Sequence, residues 1–214
     1  MPPETREYDR RQCAVFHKTN EQFGGMSNMA GGFPLEVNGV AILTSEALYQ
    51  ACRFPHMPEV QRIIVGQKSP MAAKMKSKPF RMDSRTDWDA IRLSVMRWSM
   101  RVKLAQNFEK FRDALLETED RAIVEQSSRD AFWGAKPVDD WMLVGVNALG
   151  RLLMELRAAV RSEPQERLTT VEPLTIPTFT LLGEPIRAVS PVVRRLSVER
   201  PPRRTGAGGT LWGE

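Results

Sequence analysis

Nearly all of the periodic apolar signal lies between residues 13 and 160. Cys13-Ala14-Val15-Phe16-His17 predicts a first strand. Leu35-Glu36-Val37 and Val40-Ala41-Ile42 flank Asn38-Gly39, the dipeptide that best signals a tight hairpin. Thr44 caps a predicted helix that runs to about Phe54, where Pro55 stops it. Ser69 or Ser77 bounds a short helix containing Ala72, Ala73 and Met75. Thr86, with Asp89 three residues on, reads as a capping box. It opens a long helix with the apolar stripe Trp88, Ile91, Val95, Trp98 and Val102. Asn107 caps the next helix, which turns Phe108, Phe111 and Leu115 inward. Ala122-Ile123-Val124 predicts a short strand. A last helix follows Asn147, with Leu149, Leu152, Leu153, Leu156 and Val160 on adjoining turns. The sum is an α+β fold: one compact, mostly helical domain with a small sheet over residues 13–160.

The two ends read differently. Residues 1–12 are charged and predict a flexible lead. Residues 161–214 form a Pro/Arg-rich tail, with Pro164, Pro173, Pro177, Pro185, Pro191, Pro201 and Pro202. Arg194, Arg195, Arg203 and Arg204 add charge, and Gly206, Gly208 and Gly209 follow. Thr178-Phe179-Thr180-Leu181-Leu182 alternates like a strand within it. The tail can pack on the domain, bind a partner or trail in solvent.

Composition narrows the class. At 42% hydrophobic and 27% charged over 214 residues, the chain is not disordered throughout and is long enough for a real core. It has no apolar run of about 18 residues, so no membrane span or membrane partner is expected. The polar start, Met1-Pro2-Pro3-Glu4, predicts no secretory signal and hence a cytoplasmic protein. Two cysteines, Cys13 and Cys52, and two histidines, His17 and His56, exclude a disulfide framework and a rich metal site. Neither a metal nor a cofactor is expected. The net charge of +5 permits a polyanionic partner such as nucleic acid.

Three segments could carry chemistry. Glu46, Tyr49, Gln50 and Arg53 fall at i, i+3, i+4 and i+7, on one helix face. A carboxylate there, near the helix N-terminus, suits stabilising a cation or steering water, unless the face is merely solvated. Asp130 follows a strand and sits beside Phe132 and Trp133, where Trp133 can stack on a base or belong to the core. Gly145-Val146-Asn147-Ala148-Leu149-Gly150 opens a helix whose amides could hold phosphate, or is an ordinary cap with Gly150 serving close packing. It is neither a Walker loop nor a dinucleotide fingerprint. Lys103, at the inner edge of the long stripe, could act as an amine nucleophile or simply snorkel, and Lys74 is second to it. His17 and His56 have no spacing partner for a triad.

Taken in order, these segments resemble the NADAR superfamily, or YbiA-like family. The resemblance rests on Met26-Ser27-Asn28-Met29, Thr44-Ser45-Glu46-Ala47-Leu48-Tyr49-Gln50-Ala51-Cys52-Arg53-Phe54 and Ser69-Pro70-Met71-Ala72-Ala73-Lys74-Met75. It continues through Trp88, Arg101-Val102-Lys103-Leu104-Ala105-Gln106-Asn107 and Leu115-Leu116-Glu117-Thr118. It ends with Glu125-Gln126-Ser127-Ser128-Arg129-Asp130-Ala131-Phe132-Trp133-Gly134 and Asn147-Ala148-Leu149-Gly150-Arg151-Leu152-Leu153-Met154-Glu155-Leu156-Arg157. The match is collinear over about residues 13–160 and leaves the tail outside. Where the family has His and Lys in the Glu46 motif, this chain has Ala47 and Arg53, so that lysine is no nucleophile here. Lys76 replaces the usual glycine after Met75.

The resemblance implies a YbiA-like α+β domain that cleaves a bond between nitrogen and ribose C1. Two substrate classes come with it: ADP-ribose on guanine in nucleic acid, and phosphorylated ribosylamino-pyrimidine intermediates of riboflavin synthesis. It further implies an ADP-ribose-type nucleotide ligand and, for the first class, an ADP-ribosyltransferase toxin as genetic neighbour. A module that binds ADP-ribose or NAD without cleaving it is the non-catalytic alternative. Glu46 would stabilise the cationic sugar and Asp130 would position ribose or water. Lys103 would serve a competing Schiff-base route. The candidate binding set is Ser27, Asn28, Tyr49, Gln50, Arg53, Lys74, Trp88, Trp133, Gly134, Asn147 and Gly150. Trp88 or Trp133 would stack on a base, Asn28 would bond ribose hydroxyls, and the amides around Asn147 would hold phosphate.

Overall fold

A computed structural model describes residues 4–191 of the chain. Arg194, Arg195, Arg203, Arg204 and the glycines beyond them lie outside the described residues. The expected flexible lead is corrected at once. Arg6–Asp9 is a strand, β1, whose Tyr8 is buried. It is tied down by pairing with residues 142–145. Cys13–Phe16 follows as β2. Leu35–Val37 (β3) and Val40–Ile42 (β4) form the expected hairpin. Asn38 and Gly39 hold φ of 52° and 77°, the left-handed pair that a twisted two-residue turn demands.

Ser45–Ala51 is α1, and the Thr44 hydroxyl accepts the Ala47 amide at 3.3 Å as its N-cap. Replacing Thr44 by alanine is expected to cost about 1 kcal/mol, read by chemical denaturation. The helix ends three residues before Phe54, because the chain must turn ahead of Pro55. Pro58–Val65 (α2) is a helix the periodicity did not announce. Pro70–Ser77 (α3) is capped by Ser69, whose hydroxyl accepts the Ala72 amide. Trp88–Gln106 (α4) begins after Asp87, so the Thr86 capping box is corrected. Arg85 fixes the Asp87 carboxylate beside that start. Phe108–Leu116 is α5, with Phe111 and Leu115 fully buried.

Ala122–Glu125 (β5), Lys136–Pro137 (β6) and Met142–Gly145 (β7) complete the sheets of the domain. The order β1-β7-β6 is antiparallel, and β2 lies parallel to β5. Ala148–Ser162 (α6) packs against β5. A Cβ at Gly150 would run into the Ile123 carbonyl, so only glycine lets the helix approach the strand this closely. The result is the expected α+β fold, mostly helical with small sheets.

Of the three alternatives for the tail, packing on the domain holds as far as residue 191. Gln165–Leu168 (α7) is followed by a small hairpin of Thr180–Leu181 (β8) and Glu184–Pro185 (β9). Leu168, Val171, Phe179, Leu181, Ile186 and Val189 join the main core. The Trp98 indole donates to the Glu172 carbonyl at 3.0 Å, and Gln61 clasps both Thr180 and Leu182. Among the described residues no helix is long and apolar enough to cross a membrane.

Candidate active site

The α1 face predicted by spacing lines one wall of a cleft of about 310 Å³. Glu46, Tyr49, Gln50 and Arg53 all reach it. Glu46 is only 5% exposed, so its face is not a solvated one. Its backbone amide and the neighbouring Ser45 hydroxyl both donate to the Asn28 carbonyl, which pins the loop after Met26 onto α1. Both carboxylate oxygens accept amide donors: Asn28 Nδ2 at 2.6 Å and Gln50 Nε2 at 2.9 Å. Gln50 in turn accepts the Ser77 hydroxyl from α3. Asn28 and Gln50 thus hold the carboxylate in a fixed orientation, and Ser77 steadies Gln50. Asn28 Oδ1 is buried with no hydrogen-bond partner.

Aromatics and cations make the rest of the lining. Tyr49 stands between Trp88 and Trp133, with ring centroids 5.0 and 5.7 Å away. Burial, and then the Glu46 charge, push its phenol above the ordinary value. The Arg53 guanidinium lies 5.2 Å over the Trp88 ring and donates to the Ser84 hydroxyl. Lys74, Arg81 and Arg92 also face the cleft. Arg92 sits 4.0 Å over Phe132. Asp130 is exposed on the opposite rim. One of its oxygens accepts the Phe132 and Trp133 amides, both at 2.9 Å, which leaves the other for a ligand.

Several expected residues do not reach the cleft. The Asn147 side chain is fully buried, accepting the Glu125 amide and donating to the Ile123 carbonyl. The amides of Asn147, Ala148 and Leu149 are spent on the carbonyls of Gly134, Phe132 and Trp133. These three donors are therefore not open to phosphate, and the expectation is corrected for them. Gly134 and Gly150 serve close packing on β5. The Ser27 hydroxyl accepts the Met29 amide within its own loop. Lys103 is 0% exposed and donates to the Gly25 and Ser27 carbonyls, outside the cleft lining. Burial, and then Lys110, hold its pKa well below the ordinary lysine value. Ala47 is buried in the core, so losing the family's histidine there removes nothing from the lining.

One carboxyl escaped attention. Glu125 ends β5 and lines the cleft. Burial, and then the charge of Glu46, push its pKa up to about 7, with Lys74 opposing and Asp130 adding to the rise. A strand ending in glutamate, five residues before Asp130, was the available signal. Arg81, Asp89 and Arg92 were missed as well. Among the described residues no group of three or more His, Cys, Asp or Glu could hold a metal ion.

The chain has relatives among known proteins. Residues 15–161 match the NADAR domain family. The N-glycosidase YbiA of Escherichia coli is 34% identical over 151 residues, covering 69% of this chain and 88% of that protein. A riboflavin biosynthesis protein of Vibrio vulnificus is 30% identical over 170 residues, 78% of this chain and 44% of its own. The NMR structure of E. coli YbiA superimposes with a TM-score of 0.60 at 31% identity, covering 72% of this chain and 92% of that one.

Proposed function

The chain belongs to the NADAR domain family, and from that premise we propose that it is an N-glycosidase releasing ADP-ribose from guanine in nucleic acid or from a related ADP-ribose conjugate. The observation that carries the reading is Glu46, a buried carboxylate locked by two amide donors in a cleft walled by aromatics. Breaking a ribosyl C–N bond builds positive charge on C1 and the ring oxygen. A carboxylate already fixed in place stabilises that charge without reorganising. Asn28 Oδ1 and the free Asp130 oxygen suit ribose hydroxyls or the attacking water. Trp133, only partly buried, offers its ring to a base, and Arg53, Lys74, Arg81 and Arg92 offer charge to phosphates. An ADP-ribosyltransferase neighbour belongs to this reading.

The second reading is clearance of phosphorylated ribosylamino-pyrimidines. Two relatives favour it by name: the V. vulnificus protein and the chloroplastic riboflavin biosynthesis protein PYRR of Zea mays, 32% identical over 174 residues and 27% covered. A cleft of about 310 Å³ also suits a ligand smaller than a dinucleotide. The test is turnover of both probes. Free ADP-ribose from an ADP-ribosylated guanosine oligonucleotide is the expected product. Cleavage of the pyrimidine probe alone would establish the second reading, and binding of ADP-ribose without release of base would leave only a binding module.

A further inference from the structure

Two carboxyl groups in one cleft are held in opposite ways. Glu46 accepts an N–H on each oxygen, the arrangement of a carboxylate. The Glu125 side chain accepts no N–H from any described residue. Its backbone, in contrast, is fixed. The Glu125 amide donates to Asn147 Oδ1, its carbonyl accepts the Ala135 amide, and a Cβ at Gly134 would collide with that carbonyl. The side chain therefore stands on a rigid strand end, in the cleft, beside a carboxylate.

Resting on the N-glycosidase reading, we propose that Glu125 is the catalytic acid that protonates the departing nitrogen. The C1–N bond breaks with its electron pair going to nitrogen, and the Glu125 carboxyl proton goes with it. Water then adds its oxygen to C1, opposite the charge held by Glu46, and returns a proton to Glu125. One water is consumed, and the products are a free sugar hydroxyl and a free N–H.

The surroundings keep the proton in place. Glu46 on α1 and Asp130 beyond β5 disfavour a second negative charge, and Lys74 on α3 is the opposing cation. On β2, which pairs with β5, residues 13–16 are uncharged, and His17 turns its ring to the Gln126 carbonyl. On α6 the contact to β5 is made by Gly150 and the Asn147 amide, and Arg157 is engaged with Thr118 and Arg121 at the strand's far end. An acid poised near neutrality is the form general-acid catalysis uses best.

The experiment is the pH profile of wild type and Glu125→Gln on the ADP-ribosylated oligonucleotide and the ribosylamino-pyrimidine. Wild-type kcat should fall as pH rises through about 7. The variant should lose about 100-fold at pH 6 and lose that limb. Wild type active, with the variant keeping both rate and limb, overturns the proposal alone. Wild type inert on both probes overturns the N-glycosidase reading and this proposal with it. Carboxyl-carbon NMR gives a readout free of turnover. The Glu125 carbon should titrate near 7 and shift downward in Glu46→Gln, whereas ionisation already complete at pH 5 overturns the assignment.

Discussion

Glu46→Gln is expected to lower kcat about 10³-fold while leaving KM and the fold nearly unchanged. The fold survives because the substitution keeps the shape and the network can rearrange. A glutamine would set its own amide against one of the two donors that now meet Glu46. Asn28 has an unpartnered Oδ1, so its amide can turn over and accept where it now donates. What is lost is the negative charge that counters the cationic sugar. Steady-state kinetics on whichever probe is turned over measure the split. A rise in KM with kcat intact would remove Glu46 from the transition state and leave it a binding group.

The α1 face was legible because helical spacing is a local property. Residues 46, 49 and 50 meet wherever that helix forms, and Arg53 follows in the turn just past its end, its amide donating to the Gln50 carbonyl. The hairpin at Asn38-Gly39 and the caps at Thr44 and Ser69 are equally local. What escaped were pairings set by distant residues. β1 is a strand because residues 142–145 lie beside it, and four residues carry too little pattern to show this alone. α2 begins at Pro58, three residues after Pro55, and the two prolines make that stretch read as a turn. Glu125 joins the site only because β5 ends where α1 and α3 open. The Asn147 turn looked like an anion site because its amides were unassigned, and the 131–134 loop consumes them. Lys103 lay correctly at the edge of the α4 stripe, but the spacing did not show which carbonyls it meets.

That lysine carries the second large effect. Its Nζ donates to the Gly25 and Ser27 carbonyls at 2.6 and 3.0 Å and lies 4.3 Å over both the Phe33 and Phe111 rings. Lys103 is buried and does not line the cleft, so borohydride is expected to trap no adduct on it. Lys74, which does line the cleft, is the residue such trapping would examine. Lys103→Met keeps an apolar stem but leaves the Gly25 carbonyl without its donor, at a cost of about 1–3 kcal/mol, while the Ser27 carbonyl keeps the Ala30 amide. A loss of about 2 kcal/mol near pH 10 is therefore expected from urea titration. The loss should depend on pH with a definite sign. The fold disfavours protonated Lys103, so the unfolded chain binds that proton more readily. Wild-type stability accordingly gains up to about 1.4 kcal/mol per pH unit as pH rises from the lowered folded pKa toward the ordinary lysine value. The methionine variant lacks this gain, so the gap between the two proteins should narrow as pH falls. A gap that stays constant from pH 6 to 10 would mean that Lys103 carries its full charge in the folded protein. The two carbonyls and two ring faces would then outweigh its burial.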